Sequence, residues 1–162
     1  MNIMNFSEAN CSNCYKCVRT CKVKAIKIVD NQAQIVPELC IACGHCLAVC
    51  PQNAREIHSD LDHIKKLLKD GEKINISIAP SFRGFYEKGD GYIWGLKKLG
   101  FNRIEETAVG ADITSRLYEK YINESDQDIF ITTCCPSVVL LIEKYYPSLI
   151  SYLMPFTSPM IS

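Results

Sequence analysis

Cys11-Ser-Asn-Cys14-Tyr-Lys-Cys17-Val-Arg-Thr-Cys21 decides the reading of this chain, because Cys40-Ile-Ala-Cys43-Gly-His-Cys46-Leu-Ala-Val-Cys50 repeats its spacing 29 residues later. Eight of the ten cysteines thus obey one rule, C-x2-C-x2-C-x3-C. Between the copies, Ala25-Ile-Lys-Ile-Val29 and Ala33-Gln-Ile-Val36 flank the turn-forming pair Asp30-Asn31, which predicts a β-hairpin. Residues 1–58 read as a small α+β domain built twice from one plan.

The rest of the composition narrows what such a domain can be. Of 162 residues 48% are hydrophobic, and 18 Lys+Arg balance 18 Asp+Glu, a globular composition with no electrostatic reason to bind nucleic acid or an anionic membrane. No stretch approaches the roughly 20 apolar residues of a membrane helix, and the start, MNIMNFSEANC, lacks the basic and apolar regions of a signal peptide. A cytoplasmic chain is expected. Ten cysteines there argue for metal ligation, since cytosolic thiols are kept reduced.

Thiolates are soft ligands, and three of them at x2 spacing followed by x3-C-P is the run of bacterial two-cluster ferredoxins, whose fourth cysteine ligates the other cluster. On that rule Cys11, Cys14, Cys17 and Cys50 hold one [4Fe-4S] cluster, and Cys40, Cys43, Cys46 and Cys21 the second. Zinc is the rival, but zinc sites separate two cysteine pairs instead of running three ligands together. Pro51 follows Cys50 as the run requires, whereas Lys22 stands after Cys21 and is read as a solvated side chain. His45, His58 and His63 are read as structural or solvent-facing.

After Pro51 the cysteines stop. Ser59 and Asp62, with Leu61, Ile64, Leu67 and Leu68, predict an N-capped amphipathic helix closed by Gly71. Beyond it the pattern alternates: strand 73–79, helix 91–99, strand 103–109, helix 112–122, strand 128–132, helix 138–146. Such alternation predicts an α/β layer with a mostly parallel sheet over residues 59–162. Nothing after Ile150 reads as a terminating element, so this second domain is expected to be partial, with Leu153, Phe156 and Met160 uncovered.

The remaining cysteines lie in Ile131-Thr-Thr-Cys134-Cys135-Pro136-Ser-Val138, followed by Glu143-Lys-Tyr-Tyr-Pro147 and Ser158-Pro-Met160; upstream stand Ile78-Ala-Pro-Ser81 and Val109-Gly-Ala-Asp-Ile-Thr114. In order and spacing this set resembles the catalytic domain of iron-only hydrogenases, with its T-S-C-C-P, Y-Y-P-E-L, K-S-P and G-A-D-L-T segments. The resemblance runs from about Ile74 to Met160, and a two-cluster module commonly precedes that domain. It implies that Cys135 matches a thiolate holding the [4Fe-4S] part of the H-cluster. It implies further that Cys134 matches the proton-passing thiol, and that Ala79, Pro80 and Ser81 match a loop lining the H-cluster pocket. Without the resemblance, Cys134 and Cys135 would read as small buried residues at a strand end.

The departures carry as much meaning. Tyr118, Tyr121 and Met154 occupy places where active hydrogenases relay protons through carboxylates and a serine, Thr157 replaces the lysine of K-S-P, and Ser137-Val138 replaces a glycine-tryptophan pair. This looks like the sensory branch of the family. Cys135 is one of four H-cluster thiolates, so an H-cluster is expected only in a full-length parent, and this chain alone is expected not to be catalytic. The reading is an iron-sulfur electron-transfer module joined to a redox- or H2-sensing domain. Its expected partners are carriers such as ferredoxin or downstream domains of the parent. The rival is the N-terminal part of a working hydrogenase (2H+ + 2e- to H2), and a duller third is a plain ferredoxin with an unrelated α/β tail.

Overall fold

The 29-residue repeat of the cysteines is a repeat of backbone as well. The computed structural model describes residues 4–6, 11–57, 59–85 and 89–161. Left-handed backbone occurs at Asn13 (φ 57), Tyr15 (60) and Lys24 (53), and again one repeat on at Ala42 (54), Gly44 (73) and Asn53 (50). Such angles cost a side-chain-bearing residue about 1–2 kcal/mol, so their recurrence at matching places marks loops shaped for a purpose. Gly44 meets that demand without strain where the first copy uses Tyr15. Each loop opens into a short helix, α1 (Lys16–Thr20) and α2 (His45–Ala48), again 29 residues apart.

The strands repeat too. β2 (Ile26–Val29) and β3 (Gln32–Ile35) form the expected antiparallel hairpin, with Asp30 and Asn31 both at positive φ as a type I′ turn requires. Its counterpart joins the two ends of the module: β1 (Met4–Phe6) pairs antiparallel with β4 (Arg55–Ile57). Ile26↔Ile35, Lys27↔Gln34 and Ile28↔Ala33 in the first pair become Arg55↔Phe6, Glu56↔Asn5 and Ile57↔Met4 in the second, the same register throughout.

By internal contacts the chain divides into two units, Met1–Ser59 with Cys135–Ser151, and Asp60–Cys134 with Tyr152–Ser162. In the first, Ala25, Ile26, Ala33, Ala54 and Ile142 are buried. Its later part is α7 (Pro136–Tyr145), which Pro136 can begin because a first-turn N–H has no helical partner, and all but the last residue of a 3-10 helix over Pro147–Tyr152.

In the second unit α3 (Leu61–Lys69) ends at Gly71 (φ 77) as expected, although its N-cap is Asp60 and makes no side-chain capping bond. β5 (Asn75–Ile78) and β6 (Arg103–Glu106) form a two-stranded parallel sheet, flanked by the single-turn α4 (Phe82–Phe85), α5 (Gly89–Lys98) and α6 (Thr107–Glu124). Two expectations change here. The 128–132 strand is reduced to one parallel bridge, Ile131 to Leu153, because its partner is an irregular segment that supplies bonds to Ile131 alone, while Ile129 stays 60% exposed. α6 starts at Thr107, five residues before the expected Asp112, because Gly110 does not break it. A Cβ at Gly110 would lie 1.9 Å from the Pro159 carbonyl oxygen, so glycine here permits a close approach that outweighs its helix cost of about 1 kcal/mol. Of the three residues expected to be uncovered, Leu153 makes the bridge and Phe156 packs on Tyr118 and Tyr121, both at 5.6 Å, leaving Met160 67% exposed.

Candidate metal centres

The loops bring the eight repeat cysteines into two groups of four. Cys11, Cys14, Cys17 and Cys50 line one recess of about 360 Å³, with Ile28, Ala33, Ala54 and Arg55 among its other walls. Cys21, Cys40, Cys43 and Cys46 line the other, of about 460 Å³, walled by Val23, Ala25, Ile26, Ile35 and Ile41. Each recess takes three sulfurs from one run and the last from the other. All ten cysteines are free of disulfides. Among the described residues no three His, Cys, Asp or Glu side chains close around a single ion; the thiolates ring the two recesses instead.

The backbone serves the sulfurs. Ala25 N–H donates to Cys21 Sγ and Ala54 N–H to Cys50 Sγ, both at 3.3 Å, the same bond in each copy, and Ala42 N–H donates to Cys40 Sγ at 3.4 Å. These donors follow positive-φ residues or occupy them, which is what the strained angles achieve: N–H groups turned toward anionic sulfur. At Cys11 the backbone N–H groups of Ala33 and Asn13 hold the thiol below its ordinary range, against partial burial and with help from the Arg55 charge. Burial pushes Cys46 up, the Arg55 charge opposes this, and the neighbouring Cys40, Cys43 and Cys17 add to the rise. A cationic iron core reverses that repulsion. Soft donors, inward N–H groups and apolar walls fit [4Fe-4S] clusters.

Two groups had no signal in periodicity. Arg55 is 4% exposed and its Nη2 donates to Cys17 Sγ at 2.8 Å; a repeat alignment alone could have flagged it, since it stands where the first copy has Ile26. In the same unit, Lys144 Nζ donates to the carbonyls of Pro37 (2.8 Å) and Cys40 (2.6 Å), and Tyr145 Oη to those of Leu39 (2.8 Å) and Val23 (3.2 Å). The end of α7 therefore clasps the loop that carries Cys40. Lys22, His45 and His63 are exposed, and His58 lies outside the described residues.

Ala79, Pro80 and Ser81 are exposed and turn the chain from β5 into α4, and Ala79 and Ser81 border an open hollow with Ile76, Phe82, Phe85 and Tyr92 that does not include Cys134. Cys134 is exposed, with its Sγ 3.1 Å from Tyr118 Oη. Burial and that contact push the Tyr118 phenol up, so it keeps its proton at neutral pH. Cys135 is exposed and N-caps α7.

Comparison with known proteins accounts for both halves. Residues 72–162, more than half of the chain, match the family model of the iron only hydrogenase large subunit, C-terminal domain. The chain belongs to that hydrogenase family. Residues 3–64 match the 4Fe-4S dicluster domain, and the chain carries [4Fe-4S] clusters. This hydrogenase-family chain is 32% identical to the periplasmic [Fe] hydrogenase large subunit of Nitratidesulfovibrio vulgaris over 98% of its length and 42% of that protein's. It is 28% identical to iron hydrogenase 1 of Clostridium pasteurianum over 96% of its length and 32% of that protein's. A 38-residue stretch is 53% identical to a ferredoxin of Alicyclobacillus acidocaldarius, covering 24% of the chain and 49% of the ferredoxin. The chain thus spans less than half the length of each of these relatives. Among the described residues no helix is long and apolar enough to cross a membrane.

Proposed function

We propose that this chain passes single electrons between a small carrier of the ferredoxin kind and the hydrogenase-type part of a longer cytoplasmic parent. Cys11, Cys14, Cys17 and Cys50 hold the first cluster, and Cys40, Cys43, Cys46 and Cys21 the second. The observation that carries this reading is the crossed grouping of sulfurs, three from one run with the last of the other. When bound, each cluster supplies one-electron chemistry. The chain's own residues do the rest: thiolates hold the irons, the N–H groups of Ala25, Ala42 and Ala54 stabilise anionic sulfur, and Ile28, Ala33, Ile26 and Ile35 limit the access of water.

In sequence, residues 1–58 form the ferredoxin-like domain and residues 59–162 the start of an α/β domain of the H-cluster type, with Cys135, Cys134 and the 79–81 loop in the roles the resemblance assigns them. The protonated phenol of Tyr118 beside Cys134, where a working enzyme keeps a carboxylate, favours a redox- or H2-sensing parent over a catalytic one.

The test is analytical and then genetic. Anaerobic purification or reconstitution gives about eight irons and eight sulfides per chain, and this chain alone evolves no hydrogen even with maturation proteins. Cys21→Ser then damages the cluster of Cys40, Cys43 and Cys46, and Cys50→Ser that of Cys11, Cys14 and Cys17, read by cluster-resolved paramagnetic resonance. Zinc without sulfide, or damage confined to each variant's own run, overturns the assignment.

A further inference from the structure

The two halves of the cysteine module match so closely that a chemical mismatch between corresponding buried positions, the one found among the described residues, stands out. Cysteines, positive-φ residues, short helices, strand register and the N–H bonds to Cys21 and Cys50 all recur at a 29-residue offset. Ala25 and Ala54, the residues after the last loop of each copy, are both buried, at 1% and 3% exposure. The next residue along, the first of β2 and of β4, is also buried in both, at 8% and 4%, yet it is Ile26 in one copy and Arg55 in the other. Ile26 walls the recess of Cys21, Cys40, Cys43 and Cys46; Arg55 walls that of Cys11, Cys14, Cys17 and Cys50, and donates to Cys17 Sγ at 2.8 Å.

An arginine cannot shed its proton in a protein, so this position holds a permanent positive charge in a largely dry place. Burying a guanidinium costs several kcal/mol unless anionic partners are at hand, and isoleucine at the same position in the other copy shows that the fold itself does not require the charge. The physical consequence falls on electron affinity. One electron, drawn from dithionite or a carrier, adds one negative charge inside the ring of thiolates and moves no other atom. A fixed cation with an N–H bond to one of those sulfurs stabilises that added charge, and does so strongly where water does not screen it. The apolar Ile26 offers its recess no such help.

We propose that Arg55 sets the two clusters apart in potential, holding the first, that of Cys11, Cys14, Cys17 and Cys50, above the second. The inference rests on the ligand assignment proposed above. An arriving electron then settles in the first recess, and transfer onward through the second is uphill within the module. Arg55 acts through Cys17 and is a positioning residue for charge.

The experiment is a redox titration of the reconstituted full chain followed by paramagnetic resonance, with iron and sulfide counted in every sample. Cys14→Ser identifies the signal of the first recess. In Arg55→Ile, which copies Ile26, the first midpoint shifts downward, the second shifts less, and the gap between them shrinks. Arg55→Lys keeps the charge without the planar fork and shifts the first midpoint less than isoleucine does; it also serves if the isoleucine variant fails to assemble. Midpoints unmoved in variants with eight irons, equal shifts of both, or a larger shift at the second recess overturn the proposal. Wild-type protein short of eight irons and sulfides instead overturns the ligand assignment, a separate and recognisable failure.

Discussion

The cysteine module and the 60–134 region are held together by different means. In residues 11–57 the buried side chains are small or few: Ala25, Ile26, Ala33, Ala54 and Arg55. The loops around them adopt six left-handed residues at matching places, five of them not glycine, and nothing in that thin core repays the strain of those five. Their order has to come from what the thiolates bind. The second unit buries Ile78, Phe82 and Met154 and stacks Tyr118, Tyr121, Phe130 and Phe156, with centroids 5.6 to 6.0 Å apart. It is organised by apolar contact, although Val109, Ile113 and Leu117 form an exposed stripe along α6. The difference teaches that a small chain can exchange hydrophobic burial for ligation, and that the exchange shows in strained, donor-aiming loops.

The most drastic way to break the comparison is to remove the metal. Stripping the clusters with a chelator under oxidising conditions abolishes protection from hydrogen exchange throughout residues 11–57, because ligation free energy is folding free energy in such modules. The α5–α6 segment of the second unit keeps its protection. Equal loss in both would erase the distinction.

A smaller effect is expected from the opposite side. Gly110→Ala drives a methyl into the Pro159 carbonyl, 1.9 Å from an ideal Cβ, and costs about 3 kcal/mol, the upper end for overpacking. Denaturant titration followed by residue-resolved exchange detects it in the second unit while cluster absorbance stays unchanged. A neutral result would mean that helix α6 and the Ser158–Pro159 turn are not held together as described.

The smallest effect concerns the clasp on the Cys40 loop. Tyr145→Phe removes one hydroxyl that serves the carbonyls of Leu39 and Val23, and lowers the stability of the first unit by about 1 kcal/mol. The rate of cluster loss to chelator, compared with wild type, should rise for the second cluster more than for the first. Equal rates would show the clasp to be incidental.

What could be read in advance was whatever a local period records. Cysteine spacing brings three ligands of each set together because residues three apart in a tight loop face one centre, and Asp30-Asn31 turns the hairpin because these residues tolerate positive φ. Gly71 ends α3 for the same reason, and the ordered Cys134-Cys135-Pro136 and Gly110-Ala-Asp112 segments carried the family. What escaped were meetings between residues far apart in the chain. The pairing of β1 with β4 joins the two ends of the module, and the carbonyls held by Lys144 and Tyr145 lie about a hundred residues away. The approach of Pro159 to Gly110, a residue inside α6, was another. The burial of Arg55 against Cys17 is another such meeting, between one repeat and the other, and no spacing within either repeat contains that fact.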